Sequence, residues 1–532
     1  MRLPKILSAI AVSAAIAFGG LAPAQAETPA NQLIVGLSMA NILSMDPGQS
    51  GSAEADMIRA NLYDRLVQLD VNDLTVQPQL AESWAVSEDG LTISFTLRSN
   101  AVFQSGNPVT ADDVVWSLRR LVDQEMNGGT RLRAMGFSAA NSAQTIRNLD
   151  EKTVELQLAK PLDPNILLNL LAENSFSIID SKLAMLNAID NDFGGAWLAT
   201  NSAGSGPFSL VRWEPSTIVL LERHNNYWDG PAKLERLVFR HMPESQTQRL
   251  SLERGDIDLA LQLSASDLAA LDARDDVNLA LQPDGGFYFW AVSEEKEVFK
   301  DPRVREAIRH LIDYHGLNDT VLKYYGTLWQ GPLAPNRPSV LPSPDWKFDP
   351  EYAKQLLAEA GYPNGFDTTL RALSDAPFLD VAVAVQNTLA QGGIRAEIIS
   401  GGGSVVYDKM RERDFDMVVG RGGVTVPHPD AMSSIMYNPD NSPEAALYSQ
   451  HSWRTSSFNP GINLLLEAAR VEQDPEIRNV YYQDAQRLYH AKMPAWQPIS
   501  AAVNAAAYRA DLTDFVIHPT RTTRLTMVGK QR

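Results

Sequence analysis

The chain has 532 residues and carries 64 acidic against 46 basic side chains, a formal net charge of −18. This length is too great for one hydrophobic core and predicts two or three lobes. The acidic balance argues against nucleic acid as a partner, because phosphates require a basic surface. There is no cysteine, which excludes disulfides and thiolate zinc sites.

The first 26 residues have the pattern of a secretory signal peptide. Arg2 and Lys5 precede an apolar stretch over residues 6–21, and residues 24–26 (AQA) form a small-x-small cleavage site. A transmembrane anchor is the alternative, but it needs about twenty apolar residues. We therefore expect cleavage near Glu27 and release into the periplasm. A lipid anchor is not expected, since its attachment requires a cysteine.

Residues 78–120 combine a hairpin with a capped helix. Alternating apolar residues predict a half-buried strand over 91–97, and Asp89-Gly90 before it is typical of a hairpin turn. Thr110 is the expected N-cap of the helix that follows, with Asp113 at the capping-box position. Apolar residues then recur at helical spacing up to Val122. The segment is predicted to form one α/β unit.

This segment also resembles a known family. The runs LAESW (80–84) and TADDVVWSLRR (110–120) are similar to the N-terminal lobe of periplasmic dipeptide- and oligopeptide-binding proteins of ABC importers, solute-binding protein family 5. Asp46-Pro47, residues 227–231 (YWDGP), 301–308 (DPRVREAI) and 349–362 (DPEYAKQLLAEAGY) match further family motifs. The resemblance covers almost the whole mature chain.

The resemblance implies an α/β fold of two lobes, the type II periplasmic-binding-protein fold with an extra N-terminal subdomain. Crossing hinge strands are expected at 287–290 and near 495–502. The expected divisions are a signal peptide (1–26), a discontinuous lobe I (27–70, 200–286 and 498–532), an accessory subdomain of lobe I (71–199) and lobe II (287–497).

A candidate ligand site follows the apolar run FDMVV (415–419), which is predicted to be a buried parallel strand. The loop over 421–430 leaves its carboxyl end, where open α/β sheets bind ligands. Gly422 and Gly423 would let the backbone approach a ligand closely, although a glycine-rich surface turn is the alternative.

The resemblance implies an aspartate in this loop that pairs with the α-ammonium of a peptide. In this chain Thr425 lies roughly at that position, and Arg421 replaces a tryptophan. A buried ammonium without an opposite charge costs several kcal/mol. Either Asp430 substitutes from a shifted position, or the ligand lacks a free amino terminus. A guanidinium at Arg421 would favour a carboxylate, phosphate or sugar.

The loop after the first strand offers Met39, Asn41 and Ile42 for the opposite wall, where relatives contact the ligand backbone. Trp290 and Trp329 are candidates for stacking on a ligand. A single tryptophan is more often a core residue, so these five residues are proposed as a set.

Motifs for chemistry are missing from the sequence. There is no Gly-x-Ser-x-Gly elbow, and without cysteine a Cys-His dyad is impossible. His428 could ligate a metal or a haem-like ligand, but a single histidine beside proline more often forms hydrogen bonds. We expect no catalytic residues, no metal and no cofactor.

The sequence thus predicts a monomeric periplasmic receptor that closes around a peptide and delivers it to an inner-membrane ABC permease with cytoplasmic ATPase subunits. The first alternative keeps this role for a non-peptide solute, such as a sugar conjugate, an opine or another carboxylated metabolite. Alternatives from other classes are a secreted hydrolase and a secreted chaperone-like peptide holder.

Overall fold

The computed structural model describes residues 28–49, 52–335, 337–423, 427–443 and 450–531. The predicted signal peptide and Thr425 lie outside these ranges. The roles predicted for them therefore stay predictions.

The strands are β1 (Gln32–Leu37), β2 (Val67–Leu69), β3 (Val76–Pro78), β4 (Ala81–Val86), β5 (Thr92–Leu97), β6 (Ile146–Asn148), β7 (Thr153–Gln157), β8 (Phe208–Glu214), β9 (Ile218–Arg223), β10 (Arg236–His241), β11 (Leu259–Leu261), β12 (Val277–Val292), β13 (Gly326–Leu328), β14 (Asp367–Leu373), β15 (Arg395–Gly401), β16 (Met417–Gly422), β17 (Trp496–Arg509), β18 (Leu512–Thr513) and β19 (Gly529–Lys530). The helices are α1 (Ala53–Leu62), α2 (Ala111–Asp123), α3 (Thr130–Ala134), α4 (Ser142–Thr145), α5 (Pro164–Leu171), α6 (Ser181–Leu186), α7 (Gly195–Leu198), α8 (Ser245–Arg254), α9 (Ala265–Asp272), α10 (Glu297–Lys300), α11 (Pro302–His310), α12 (Tyr314–Asp319), α13 (Pro350–Glu359), α14 (Phe378–Gln391), α15 (Lys409–Arg411), α16 (Ser433–Met436), α17 (His451–Arg454), α18 (Pro460–Val471) and α19 (Pro475–Ala491).

A four-stranded antiparallel sheet, in the order β4-β5-β7-β6, forms the accessory part with α2 packed on it. Gly90 has φ +68° in the turn between β4 and β5, a conformation that glycine adopts without strain. At the start of α2 the Thr110 N–H donates to Asp113 Oδ2 at 3.0 Å. The predicted hairpin and capped helix are therefore confirmed.

A buried ion pair fixes this accessory part to the loop after β1. Arg120 Nη2 of α2 lies 2.5 Å from Asp46 Oδ2, and both side chains are only 2% exposed. Asp46 belongs to the Asp-Pro motif of the sequence. The motif therefore has a structural role, because a buried charge needs a buried partner.

The main sheet has the order β15-β14-β16-β12-β17-β11-β1-β10-β9-β8, with β13 paired to β17. Parallel pairs lie on both sides of its centre: β14 with β15 and β16, and β1 with β10 and β11. The β12 and β17 pair runs antiparallel between these two groups. The sheet is consequently mixed, and its parallel strands end at a common region.

The two central strands carry the predicted crossings. Residues 287–290 lie in β12, and residues 496–502 lie in β17. Both strands are longer than expected, because they pair with each other from Val277 and Arg509 to Ala291 and Trp496. A register shift interrupts the pairing between Pro283 and Phe287. The irregularity gives the long ribbon a natural place to bend.

Helices cover the sheet as their sequence signals predict. Asp301 caps α11 and Asp349 caps α13, each followed by proline at the first helical position. The side chains of Val304, Ala307 and Ile308 are fully buried against the main sheet. In the part of the chain that the structure describes, no helix has the length and apolarity needed to cross a membrane.

Candidate ligand-binding cleft

A cavity of about 540 Å³ lies between the two groups of parallel strands. We call it the central cavity and define it by six of its lining residues: Asn41, Glu54, Tyr288, Asp375, Arg421 and Arg521. The loops after β1, β14 and β16 reach it because the two groups run in opposite directions along the β12 and β17 ribbon, so that their carboxyl ends face each other near its middle. Its volume is in the range that proteins use for small ligands.

Arg421 faces the central cavity but already has protein partners. Its Nη2 donates to Asp284 Oδ2 at 2.5 Å and to Asn504 Oδ1 at 2.6 Å. Burial disfavours the charged guanidinium, yet the Asp284 carboxylate outweighs this and raises the pKa of Arg421. The positive charge of Arg421, which the sequence suggested for binding a ligand, is thus neutralised by Asp284 of the protein itself.

The cavity wall presents two carboxylates, Glu54 in the first turn of α1 and Asp375 in the loop after β14. Glu54 Oε1 accepts a hydrogen bond from Gln262 Nε2 at 2.5 Å. Burial raises the pKa of Glu54, against the hydrogen bond from Ser52. A cation bound beside these carboxylates would favour their ionised forms.

Asp375 also joins the two sides of the cleft. Its Oδ2 accepts a hydrogen bond from Asn41 Nδ2 at 3.2 Å. Asn41 follows β1 and Asp375 follows β14, so the bond links the two groups of parallel strands. Of the residues predicted for the opposite wall, Asn41 lines the central cavity.

Arg521 supplies positive charge to the same space. Its side chain is 25% exposed, and its Nε lies 3.7 Å from Asp284 Oδ2, the carboxylate that Arg421 also uses. Arg521 and Glu54 attract each other electrostatically. The central cavity therefore places carboxylates and a guanidinium in one small space.

The other predicted loop residues lie at a different opening. A second cavity, of about 830 Å³, is lined by Gly423, His428 and Asp430 together with residues of the accessory part. His428 Nε2 lies 3.2 Å from Asp163 Oδ2, and Asp430 Oδ1 accepts from Arg470 Nε at 2.8 Å. Arg411 lines both cavities. Asp430 thus lines the second cavity and is not among the described residues that line the central cavity.

Five predicted residues are not among the described residues that line either cavity. Met39 and Ile42 are buried in the core beside β1, and Trp290 is fully buried. Trp329 Nε1 donates to Leu333 O at 2.8 Å in a third apolar cluster. Gly422 pairs with Phe287 as the last residue of β16, since pairing with β12 extends this strand beyond the predicted end at Val419. Trp290 is thus a core residue and Trp329 is half-buried against an apolar cluster, and their role toward a ligand stays a prediction.

Sequence reasoning missed Glu54, Asp375, Asp284 and Arg521. The rule that selected the loop after β16 would also have selected Asp375, which follows the parallel strand β14. The acidic first turn of α1 is explained in the sequence by helix capping. Arg521 lies in the irregular C-terminal segment and has no local signal.

The comparisons with known proteins agree with this architecture. The family model "Bacterial extracellular solute-binding proteins, family 5 Middle" matches residues 75–444. Heme-binding protein A of Haemophilus influenzae is 28% identical over 485 residues, covering 86% of this chain and 85% of the relative. The glutathione-binding protein GsiB of Salmonella paratyphi A is 27% identical over 514 residues, covering 94% and 95%.

A solved structure has the same fold. The dipeptide-binding protein of Pseudoalteromonas sp. SM9913, in complex with Met-Leu, superposes with a TM-score of 0.84 at 24% identity and covers 94% of this chain and 100% of its own. The predicted two-lobed fold and the family resemblance are confirmed. The residue boundaries of the lobes stay a prediction.

Proposed function

This chain belongs to the bacterial extracellular solute-binding proteins of family 5, and we propose that it captures short peptides with a free amino terminus in the central cavity. It is the solute-binding component of a periplasmic ABC transporter. The names of its relatives include a haem-binding, a glutathione-binding and a dipeptide-binding protein. The choice of ligand therefore depends on the residues of this chain.

The observation that carries the proposal is the charge arrangement of the central cavity. Glu54 and Asp375 offer two carboxylates to an α-ammonium, and Arg521 offers a guanidinium to a carboxylate. Peptides carry both charges. In the sequence, Arg421 favoured a carboxylate, phosphate or sugar as the ligand. In the structure its charge is neutralised by Asp284. The missing loop aspartate thus has substitutes on α1 and after β14.

Closure of the cleft follows from the same geometry. The Asn41–Asp375 hydrogen bond holds the two walls together in this structure. A ligand that contacts Glu54 on one wall and Asp375 on the other makes both contacts only when the two walls are close together. It therefore shifts the population toward the closed form. Bending is expected at the irregularity of β12 between Pro283 and Phe287.

Partners and location extend the proposal. The filled receptor would deliver its peptide to an inner-membrane permease driven by cytoplasmic ATPases. Removal of residues 1–26 and release without a lipid anchor belong to the same proposal.

The alternatives make different predictions. The relatives compared are solute-binding proteins, and we propose that no bond is made or broken. A hydrolase would instead turn over a peptide or glycoside mixture. A chaperone-like holder would bind unfolded chains loosely and without saturation. A non-peptide solute remains the alternative within the receptor role, because Arg521 would also accept a carboxylated metabolite.

A thermal-shift screen of the purified mature protein tests the ligand class. Free di- to pentapeptides, their N-acetylated forms, sugars and opines are compared at equal concentrations, since a ligand that binds the folded state raises the melting temperature. We expect stabilisation by free peptides and loss of the effect on acetylation. Stabilisation by opines or sugars alone would reject the peptide proposal.

A further inference from the structure

Residues 518–523, which we call the C-terminal loop, form part of the wall of the central cavity. The loop closes on itself, because the Arg521 N–H donates to His518 O at 3.2 Å and the His518 N–H donates to Thr523 Oγ1 at 2.9 Å. The side chains of His518 and Thr523 are buried. The loop is therefore an internally hydrogen-bonded element, and its own contacts define its shape.

Arg521 differs from the rest of this loop in its backbone and in its side chain. Its φ of +62° lies in the left-handed region, which a non-glycine residue adopts rarely and only where its surroundings fix it. Its guanidinium lines the central cavity and donates a hydrogen bond to none of the described residues. Asp284 Oδ2, at 3.7 Å from Nε, is too distant for such a bond. The N–H groups of Arg521 are thus left for a solute.

The other two arginines that line the central cavity are already used by the protein. Arg421 donates to Asp284 at 2.5 Å and to Asn504 at 2.6 Å. Arg411 Nη1 donates to Asp408 Oδ1 at 2.5 Å. Among the described lining residues, Arg521 is therefore the guanidinium best able to hold a carboxylate of the solute.

One side chain of the accessory part holds the backbone of Arg521. Asn174, between α5 and α6, is 7% exposed, and its Nδ2 donates to Arg521 O at 3.2 Å and to Asp56 O of α1 at 3.1 Å. Its Oδ1 accepts a hydrogen bond from Arg65 Nη1 at 2.7 Å. Asp56 is two positions beyond Glu54. The Asn174 amide therefore joins the two segments that carry Glu54 and Arg521 to the central cavity.

We propose that Asn174 is a positioning residue for solute recognition: it holds Arg521 in the conformation that presents the guanidinium to the terminal carboxylate of the solute. Guanidinium groups bind carboxylates in a fixed geometry, so small displacements of the backbone weaken the contact. None of the described residues that line the central cavity comes from residues 71–199. The accessory part thus contributes to recognition through a contact behind the cavity wall.

This inference rests on the proposed peptide function and deepens it. It predicts that the protein distinguishes a peptide with a free carboxyl terminus from the same peptide with a carboxyl-terminal amide. If Asn174 instead only attaches the accessory part to the C-terminal loop, its removal changes stability and leaves this discrimination intact. The ratio of the two affinities therefore separates the two roles.

Isothermal titration calorimetry of the full mature protein measures this ratio with Ala-Ala-Ala and its carboxyl-terminal amide. Asn174→Asp keeps the size of the side chain and the acceptor for Arg65 but removes both donors. Asn174→Ala removes the donors without adding a charge. Arg521→Gln removes the guanidinium itself. Thermal melting of each variant shows whether it is folded.

The matched control is Asn169→Asp, which changes the net charge as Asn174→Asp does. Asn169 is also a buried asparagine of the accessory part, 6% exposed, and its Nδ2 donates to Asn165 O at 2.7 Å within α5. It is not among the described residues that line either cavity. The control should keep the affinity ratio of the wild type within twofold.

We expect the wild type to bind the free tripeptide about tenfold more tightly than its amide, because hydrogen bonds between charged groups are lost with the amide. Arg521→Gln and both Asn174 variants should reduce this ratio to about threefold or less. The double variant Arg521→Gln with Asn174→Ala should discriminate no less than Arg521→Gln alone, since Asn174 acts through Arg521.

Three results would overturn the inference. The first is a wild type that binds the tripeptide and its amide equally, in which case the peptide proposal still stands. The second is a loss of discrimination in Arg521→Gln that the Asn174 variants do not share. The third is an equal weakening of both probes by the Asn174 variants, which would indicate a structural contact alone.

N-acetyl-Ala-Ala-Ala separates this inference from the proposed function. If it binds as tightly as the free tripeptide while the amide binds weakly, recognition of the amino terminus fails and carboxylate recognition by Arg521 stands. If the wild type binds none of the three probes, both proposals fail.

Discussion

Arg421 lines the central cavity and Gly423 lines the second cavity, only two positions further along the chain. The balance of acidic and basic side chains nevertheless differs between the two cavities. Arg421 at the central cavity is neutralised by the fully buried Asp284. Two residues further on, Gly423 opens onto a space where basic side chains outnumber carboxylates. What a cavity offers a ligand therefore depends on which of its charges the protein has already paired. A charged residue in a predicted site does not by itself identify the ligand.

Removal of Asp284 should have the largest effect on this comparison. Asp284→Asn leaves the guanidinium groups of Arg421 and Arg521 without the carboxylate that both approach. Breaking a buried pair by removing one partner costs about 3–5 kcal/mol. We expect a loss of this size in the free energy of unfolding measured by urea denaturation, together with a shift of ligand preference toward anions.

The matched control for this variant is Asp367→Asn. Asp367 pairs with Arg395 on the surface, where the two side chains are 80% and 58% exposed. An exposed pair contributes about 0–1 kcal/mol. Equal stability losses in the two variants would show that Asp284 has no special role at the cavity.

Removal of the Glu54 charge should weaken peptide binding by about 2 kcal/mol, or roughly thirtyfold, because a charge-assisted hydrogen bond is replaced by a neutral one. Glu54→Gln keeps the size of the side chain and makes the central cavity more positive. Calorimetric titration with a free tripeptide measures the change. Asp56→Asn, two residues along α1 and not among the described lining residues, should leave the affinity within twofold. A Glu54→Gln variant that binds the free tripeptide as tightly as the wild type would contradict the ammonium site.

Acid should weaken the contact that bounds the second cavity. Burial opposes ionisation of Asp163, but the hydrogen bond from His428 and further contacts prevail and lower its pKa from 3.8 to about 2. A carboxyl group whose pKa is lower in the folded state than in the unfolded state stabilises the fold at pH values above the unfolded pKa. This contribution is lost as the pH falls from about 4 through 2. We expect about 2 kcal/mol from this group at pH 7.

Urea denaturation of the wild type and of Asp163→Asn at pH 7 and pH 2 checks this contribution. The variant should be less stable at pH 7, and the difference should shrink at pH 2, because Asp163 is then about half protonated in the folded wild type and almost fully protonated in the unfolded chain. A difference of equal size at both pH values would contradict an ionised Asp163.

The smallest effect is expected at Trp329, which the sequence proposed as a stacking platform. Trp329→Phe removes the hydrogen bond from Nε1 to Leu333 O and should cost about 1 kcal/mol of stability. Peptide affinity should stay within twofold, since Trp329 is not among the described residues lining either cavity. A tenfold loss of affinity measured by calorimetry would restore the stacking prediction.

Several elements were predictable because their signals are local. The turn at Asp89-Gly90, the capping box at Thr110 and the caps at Asp301 and Asp349 each depend on residues a few positions apart. The crossings near 287–290 and 495–502 were placed by the family resemblance and lie within β12 and β17. The full length of β12 and β17 was not predicted, because it depends on the pairing of these two strands with each other.

Less of the candidate cavity was predictable from the sequence, since its contacts join distant residues. The loop after β16 was found from the end of a buried strand, and Asn41 from the loop after β1. Asp284 and Arg421 are 137 positions apart, and Asn41 and Asp375 are 334 apart. No periodicity or motif connects such pairs.

The sequence alone determined the class of this protein: its apolar periods, helix caps and family motifs specify a two-lobed solute-binding fold. The tertiary structure decided which charges remain for a ligand. Arg421 is carried by β16 to the buried Asp284, while Glu54 and Asp375 come to face one cavity from two different walls. The physical reason is that the interaction between charges depends on distance and burial, and both are fixed only when the chain has folded.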